Sequence, residues 1–475
     1  MKSIGPIRLI RPLICPIRPI KNKLIMSSIK AEYTQGPVAS TMLKTACAML
    51  AGTLAMTGYN LADTFFVGRL GGEAPLAAMG FTFPVVMFVS CIFNGIGSGI
   101  MANMAHALGR NDEKQAALLV ASGMILVSII AILLAAIGIA SANWLFAALG
   151  AEGETLVQVR RYMDVWYFGC FTAGLSMEGH KALIAAGRPK SASGMTILGM
   201  LINVGLDPLF IFGYGPIPGM GIRGAAIATV LSQMVTAVVI IFILRRADLL
   251  HFRRIPLPRL LKTWRAIIRY AIPATLGLLL FPIGNAITTR ITATFGDAAV
   301  AAVSAASRLE SVAFVFPMSV GITLMPMIAQ NYGAKLYSRV RLCLRFAIGI
   351  AAFFLIIMGA VFIIFAPHIV VYFTPEQSVR EIMITYLRII PYGLFMVEIF
   401  RFSCFAFTGC GRPNFDALFK VIRVAGLHVP LSLLAMALNS LPGLFFARLA
   451  SDVISGAIAL ILAWRLVHSL PADGE

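Results

Sequence analysis

The sequence predicts an all-α membrane protein of twelve transmembrane helices, arranged as two parallel six-helix repeats around a central cleft. Three observations predict it: an apolar composition, a dozen windows of spanning length, and motifs that recur at one offset. Of 475 residues, 59% are hydrophobic and 12% charged, where a soluble domain carries about a quarter charged. At a mean hydropathy of +0.88 the chain has too few charges to cover a water-facing surface. Lipid-facing side chains account for the excess. The 39 Lys and Arg against 20 Asp and Glu give a formal charge of +19, which belongs at cytoplasmic helix ends rather than on a nucleic acid. Seven cysteines, an odd number without a C-x-x-C pair, exclude a disulfide scaffold.

Windows of roughly 20 or more mostly apolar residues, each able to cross about 30 Å of hydrocarbon, fall near 43–68, 76–104, 116–140, 162–186, 191–213, 222–244, 266–294, 299–331, 346–366, 382–408, 415–438 and 443–466. They lack the alternating polarity of strands. In this layout only five basic residues, Arg69, Arg160, Arg161, Arg223 and Arg380, fall in loops on the side away from the termini. Such a bias places both termini in the cytoplasm of a multi-pass cytoplasmic (inner) membrane protein. The expected organisation is a basic disordered tail over 1–36, an amino lobe over 37–245, a cytoplasmic linker over 246–265, a carboxyl lobe over 266–468 and a tail over 469–475. Pro256 and Pro258 mark the boundary between lobes. In the first tail Pro6, Pro12, Pro16 and Pro19 break any spanning or signal segment, and Met26 is an alternative start.

The only two Gly-Arg-Pro triplets, at 187–189 and 411–413, are 224 residues apart. The same offset pairs Met101-Ala-Asn-Met-Ala-His-Ala-Leu-Gly109 with Met325-Pro-Met-Ile-Ala-Gln-Asn-Tyr-Gly333, and Ala77-Ala78 with Ala301-Ala302. Shifted by one, Leu70-Gly71 pairs with Phe295-Gly296. Agreement over most of a half-chain implies duplicated six-helix bundles. An even helix number makes the repeats parallel, with a cleft between them, which is transporter architecture.

Several motifs then stand in a distinctive order: Tyr59-Asn-Leu-Ala-Asp63, Gly109-Arg-Asn-Asp-Glu-Lys114, Gly187-Arg-Pro189, Asn203-x-x-x-Asp207-Pro208 and Gly224-Ala-Ala-x-Ala-Thr229-x-x-Ser232. Over about residues 37–468 the chain resembles the multidrug and toxic compound extrusion (MATE) family. It is most similar to the DinF-like branch, because the seventh helix has no Asp or Glu where the sodium-coupled branch carries an acid. The resemblance implies that Asp63, Asn203, Asp207 and Thr229 form the cation site of the amino lobe. One departure is Ala48, where the family's first helix usually carries a Pro; the repeat keeps Pro273 at the matching place, so a bending first helix is in doubt.

The residues themselves point the same way. An intramembrane carboxylate costs roughly 3 kcal/mol or more and needs a reason. At about 1.5 Å of rise per residue, Asp63, Asn203, Asp207 and Thr229 all fall roughly 7–11 Å below the outer surface and can meet in one layer. Two carboxylates in one poorly hydrated pocket cannot both carry charge cheaply, so such a pair takes up and releases a proton. The alternative is a hydrogen-bonded plug that joins helices. In the second half Asn203 maps to Leu427, Asp207 to Leu431 and Asp63 to Thr288, which confines ion coupling to the amino lobe. The carboxyl lobe instead has Arg308 and Glu310 in the eighth helix, Glu398 and Arg401 in the tenth, and Arg448 and Asp452 in the twelfth. The last two pairs read as internal ion pairs. Glu310 and Glu398, with Arg308 and Arg401, are the candidates for holding a cationic substrate, and His428 reads as a neutral histidine bonded to a neighbouring helix.

The expected function is therefore a secondary antiporter that exports organic cations or drugs in exchange for protons, working as a monomer in the lipid bilayer. No cofactor is expected, and sodium is the lesser coupling ion. The rival is a lipid-linked saccharide flippase of the wider superfamily. No G-x-x-x-x-G-K-[ST], H-E-x-x-H or G-x-S-x-G motif is present and no His/Cys cluster has metal spacing, so neither an ATP-driven pump nor an intramembrane enzyme is expected.

Overall fold

The computed structural model describes residues 31–71, 74–251 and 255–474. Six helices build the amino lobe: α1 (Val38–Gly68), α2 (Ala74–Gly109), α3 (Glu113–Ala148), α4 (Gly153–Ala185), α5 (Pro189–Ile211) and α6 (Ile222–Arg246). The carboxyl lobe follows with α7 (Leu257–Ala293), a broken pair α8 (Asp297–Ala313) and α9 (Val315–Gly333), then α10 (Tyr337–Val370). It ends with α11 (Gln377–Ile389) running into α12 (Leu394–Gly409), α13 (Pro413–Val421) into α14 (Val429–Ala437), and α15 (Leu441–His468). Among the described residues ten spans are long and apolar enough to cross a membrane, and the α8–α9 pair, bent by 55°, makes an eleventh. The twelfth is α4, whose 33 residues include Glu178 and Lys181 and so read as less apolar. A two-residue hairpin, Gly213–Tyr214 with Ile217–Pro218, lies between α5 and α6, where the apolar windows suggest no strand.

The repeat is visible in the helix ends. α2 and α9 end 224 residues apart, at Gly109 and Gly333, and α5 and α13 begin 224 apart, at Pro189 and Pro413. The Gly-Arg-Pro triplets explain the second pair. Gly187 and Gly411 take φ of +75° and +83°, a left-handed turn that closes the preceding helix, and the proline starts the next one where no N–H is needed.

Where the sequence predicts continuous eighth, tenth and eleventh spans, the structure breaks them. Each break has a proline within four residues: Pro317 after the α8–α9 bend, Pro391 in the 3₁₀ turn Ile390–Gly393, and Pro430 after the widened turn Ile422–His428. A proline ring collides with the carbonyl four residues earlier and offers no N–H. At the matching positions the first repeat has Phe93, Tyr167 and Leu206, and α2, α4 and α5 run unbroken. α1 also runs unbroken, without an internal proline.

Each lobe has its own core, but the first helix of each repeat crosses over. Val38, Met42 and Ala46 of α1 pack in the carboxyl-lobe core with Val320, Leu324 and Phe402. Ile267, Tyr270 and Ala271 of α7 pack in the amino-lobe core with Ile100 and Met124. This exchange joins the lobes at the end that carries both termini. There α2 lies against α7 and α9, and glycines let the backbones touch: an added Cβ would meet Ile267 O at 2.4 Å from Gly99, Gln330 O at 2.1 Å from Gly109 and His106 O at 2.4 Å from Gly333. Two hydrogen bonds related by the repeat cross the seam, His106 Nε2 to Gly409 O at 2.7 Å and Gln330 Nε2 to Ala185 O at 2.7 Å. His106 and Gln330, and likewise Ala185 and Gly409, are 224 apart. These close approaches and cross-seam bonds all lie in the terminal halves of α2, α7 and α9. The lobes are thus closed at the terminal end.

Residues 31–36, which the sequence assigns to a disordered tail, belong to the fold; residues 1–30 lie outside the described residues. Tyr33, 1% exposed, donates from its hydroxyl to Ile184 O and from its backbone N–H to Gln330 Oε1, so it pins both lobes. Its carbonyl accepts from Asn331 Nδ2 at 3.1 Å. No local pattern announces this, because the partners lie about 150 and 300 residues away. Tyr33→Ala is expected to cost roughly 3 kcal/mol, the usual loss for a buried aromatic ring, and to loosen the terminal end. A fall in melting temperature, together with faster thiol labelling of Cys410, which is 3% exposed and adjoins the Gly409 carbonyl bonded across the seam, checks it.

Candidate functional site

The amino-lobe acids meet near the far end. Asp63 lies five residues from the end of α1, Asp207 four from the end of α5, and Thr229 seven into α6, depths of about 6–11 Å at 1.5 Å per residue. Asp207 and Asn203 are fully buried and Asp63 is 8% exposed. Asn203, one turn before Asp207, donates its amide to Asp207 Oδ1 at 3.2 Å, and Asp63 stands within electrostatic reach of Asp207. Tyr59, one turn before Asp63, donates its hydroxyl to Thr229 Oγ1 at 3.1 Å and so ties α1 to α6. The four residues singled out from the sequence therefore stand together. Sequence reasoning left out two tyrosines: Tyr59 and Tyr162 of α4 both lie within electrostatic reach of the two carboxylates. For Tyr59 the spacing of four from Asp63 was the available signal; for Tyr162, at the edge of its apolar window, there was none.

Three acceptor oxygens here, Asp63 Oδ1, Asn203 Oδ1 and Asp207 Oδ2, are buried without a hydrogen-bond partner. Unmet acceptors on two acids in one apolar layer are costly. A proton shared by the acids, or a cation between them, is the species that would satisfy these oxygens. The donor set of two carboxylates, an amide oxygen and hydroxyls is hard and could take either.

The carboxyl-lobe candidates are arranged differently. Glu398 pairs with Arg401 on its own helix. Arg448 pairs with Glu310 and lies 3.8 Å from Asp452, while Tyr386 donates to Glu310 Oε2 at 2.7 Å. Asp452 in turn accepts from Arg423 at 2.7 Å, and Asp416 lies 2.8 Å from Lys420. The two i,i+3 and i,i+4 pairs expected from spacing are present, but the partner across helices for Glu310 is Arg448, not its neighbour Arg308, which is exposed on α8. In each of these pairs the acid is the buried member: Glu398 is 1% and Arg401 32% exposed, and Glu310 9% against 27% for Arg448. Mid-span arginines do not face lipid, so their exposed edges look into the bundle interior or the cleft. His428 meets Thr288 Oγ1 of α7 at 2.8 Å, the neighbouring-helix bond expected of it.

Comparison with known proteins bears on this geometry. The MatE family profile matches twice, over residues 48–209 and 273–434, once per repeat. The chain belongs to the MATE family. Among relatives of this MATE protein, a "FAD transporter" of Shewanella oneidensis is 31% identical over 92% of this chain and 96% of its own. "Multidrug export protein MepA" of Staphylococcus aureus is 25% identical over 93% of this chain and 97% of its own. A solved MATE transporter of Vibrio cholerae, VcmN, superposes with a TM-score of 0.85 at 26% identity, covering 91% of this chain and 97% of that one. A transporter from Pyrococcus furiosus shares the fold, with a TM-score of 0.84. The protein is thus a multi-span membrane transporter and not an enzyme, with small molecules as its class of substrate.

Proposed function

We propose that this MATE protein is a proton-driven antiporter that exports organic solutes, organic cations among them, working as a monomer in the cytoplasmic membrane with both termini inside. The observation that carries the reading is the pair of buried acids, Asp63 and Asp207, with unmet oxygens in one layer of a lobe whose terminal end is sealed. A proton taken up there from outside favours one state of the cleft, substrate the other, and exchange follows from that opposition. The charge bias of the loops supports the orientation. The acid-free α7 supports protons over sodium and a place in the DinF-like branch. In reconstituted vesicles, ethidium efflux is expected to follow an imposed pH gradient and to persist when sodium is removed at fixed pH gradient. Efflux that collapses without sodium would overturn the choice of ion.

A second reading differs in the charge of the substrate. The acids offered as cation ligands, Glu310 and Glu398, are already held by arginines, and the basic partners are the more exposed ones. Arg423 lies over the Phe400 ring and Arg448 over Tyr386. Such a lining suits an aromatic solute that bears an anionic group, and the relative named as a FAD transporter agrees with it. Competition of ethidium efflux by flavin adenine dinucleotide, tested against wild type and Arg401→Gln, separates the two readings. A lipid-linked saccharide as competitor tests the flippase alternative.

A further inference from the structure

A third buried acid of the amino lobe stands away from the layer of Asp63 and Asp207. Glu178, on α4, is 1% exposed, and both of its carboxylate oxygens are buried without a hydrogen-bond partner. Lys181, one turn on, does not close an ion pair with it; its ammonium donates instead to Asn94 O and Ser98 Oγ of α2. Other helices packed around α4 bring no further charge to this place. The facing stretches of α2 (91–101), α3 (116–131) and α6 (236–244) hold no Asp, Glu, Lys, Arg or His, and Cys91 is their only titratable group. The nearest reaches of α5 and α9 carry charge only at Lys190 and Asp207 on α5, toward its two ends. His180, between Glu178 and Lys181 on α4, is bonded to the backbone of Ala192 on α5.

What lies between this pair and the seam is a helix thinned by glycine. A Cβ at Gly97 would meet Lys181 Cδ at 2.5 Å and Glu178 Oε2 at 2.9 Å. On the opposite face of α2, a Cβ at Gly95 would meet Ala271 O at 2.8 Å, and one at Gly99 Ile267 O at 2.4 Å, both on α7. Residues 95 and 99 share a face while 97 points away from it. One helix, without side-chain bulk at three positions, separates Glu178 and Lys181 from the closing surface of the other lobe.

We propose that Glu178 is a second proton-carrying site of the amino lobe, set behind the terminal-side seam, and that its protonation state governs whether that seam is closed. In the closed state an ionised carboxylate would lack every hydrogen bond it needs, so the neutral acid is the form that fits. When α2 leaves α7, water reaches the pair. The carboxyl then gives its proton to that water and stays behind as a carboxylate beside the Lys181 ammonium, and closure requires the proton back. The inference rests on the proposed orientation only for naming that water cytoplasmic.

The test uses the full chain in nanodiscs without substrate, spin-labelled at Lys114→Cys and Lys262→Cys, exposed positions at the terminal ends of the two lobes, with native cysteines removed. In wild type the label distance is expected to lengthen as pH rises. Glu178→Gln, a permanent mimic of the neutral acid, is expected to hold the short distance at every pH. Lys181→Met removes the positive neighbour that favours the carboxylate, so its midpoint is expected to move to higher pH. A wild-type pH response in Glu178→Gln overturns the proposal. Should that variant not fold, an unmoved midpoint in Lys181→Met overturns it equally, since a merely structural lysine would leave the midpoint in place. Failure of pH-driven ethidium efflux in wild type, with a label response that depends on Glu178, would refute the antiport reading and leave this site standing.

Discussion

Asp207→Asn is expected to reduce pH-driven ethidium efflux to the level of empty vesicles, with Asp63→Asn doing the same, while both proteins remain folded. The substitution keeps the shape and most of the hydrogen bonding. Asn203 would still find an acceptor oxygen at position 207, where it now donates at 3.2 Å. What is lost is the group that can alternate between charged and neutral. An amide satisfies the layer permanently, so the cleft has no proton-dependent preference and the gradient has nothing to act on. Exchange of labelled for unlabelled substrate at equal pH should survive in both variants, because it needs no net proton movement. Wild-type efflux in either one would mean that the two acids only join helices.

Gly109→Ala should abolish net transport by a different route. The new Cβ would lie 2.1 Å from the carbonyl oxygen of Gln330, and backbone cannot move aside as a flexible side chain does. Overpacking of this kind costs roughly 1–3 kcal/mol. The cost falls only on the state in which the terminal end is closed, so at about 1.4 kcal/mol per tenfold it shifts the balance of states by one to two decades. Gly333→Ala, 2.4 Å from His106 O across the repeat axis, should do the same. Gly349→Ala, where a Cβ meets nothing within 4 Å, is the control and should transport normally. Measuring the Lys114–Lys262 label distance in the three variants decides the point: a closed distance in Gly109→Ala would show that the seam tolerates the methyl.

The sequence by itself determined the membrane, the span count, the repeat and the layer of acids. All of these are properties of composition, of spacing along one helix, or of comparison between the two halves at a fixed offset. Asp63, Asn203, Asp207 and Thr229 were legible because depth in a spanning helix is a count of residues, and four counts within about one turn of each other give one layer. Arg401 with Glu398 was legible because i and i+3 share a helix face. Only the tertiary structure decided which helices those layers and faces meet. It gave Glu310 to Arg448 rather than to Arg308, made Tyr33 a pin between lobes instead of part of a tail, and placed Glu178 behind α2. In each case the partner is far along the chain. The breaks in the carboxyl-lobe spans fall between these classes: Pro317, Pro391 and Pro430 are plain in the sequence, yet prolines also sit inside unbroken helices here, as Pro84 and Pro208 do. Whether a proline bends a membrane helix or is absorbed depends on neighbours that can satisfy the freed carbonyls, which no single helix records.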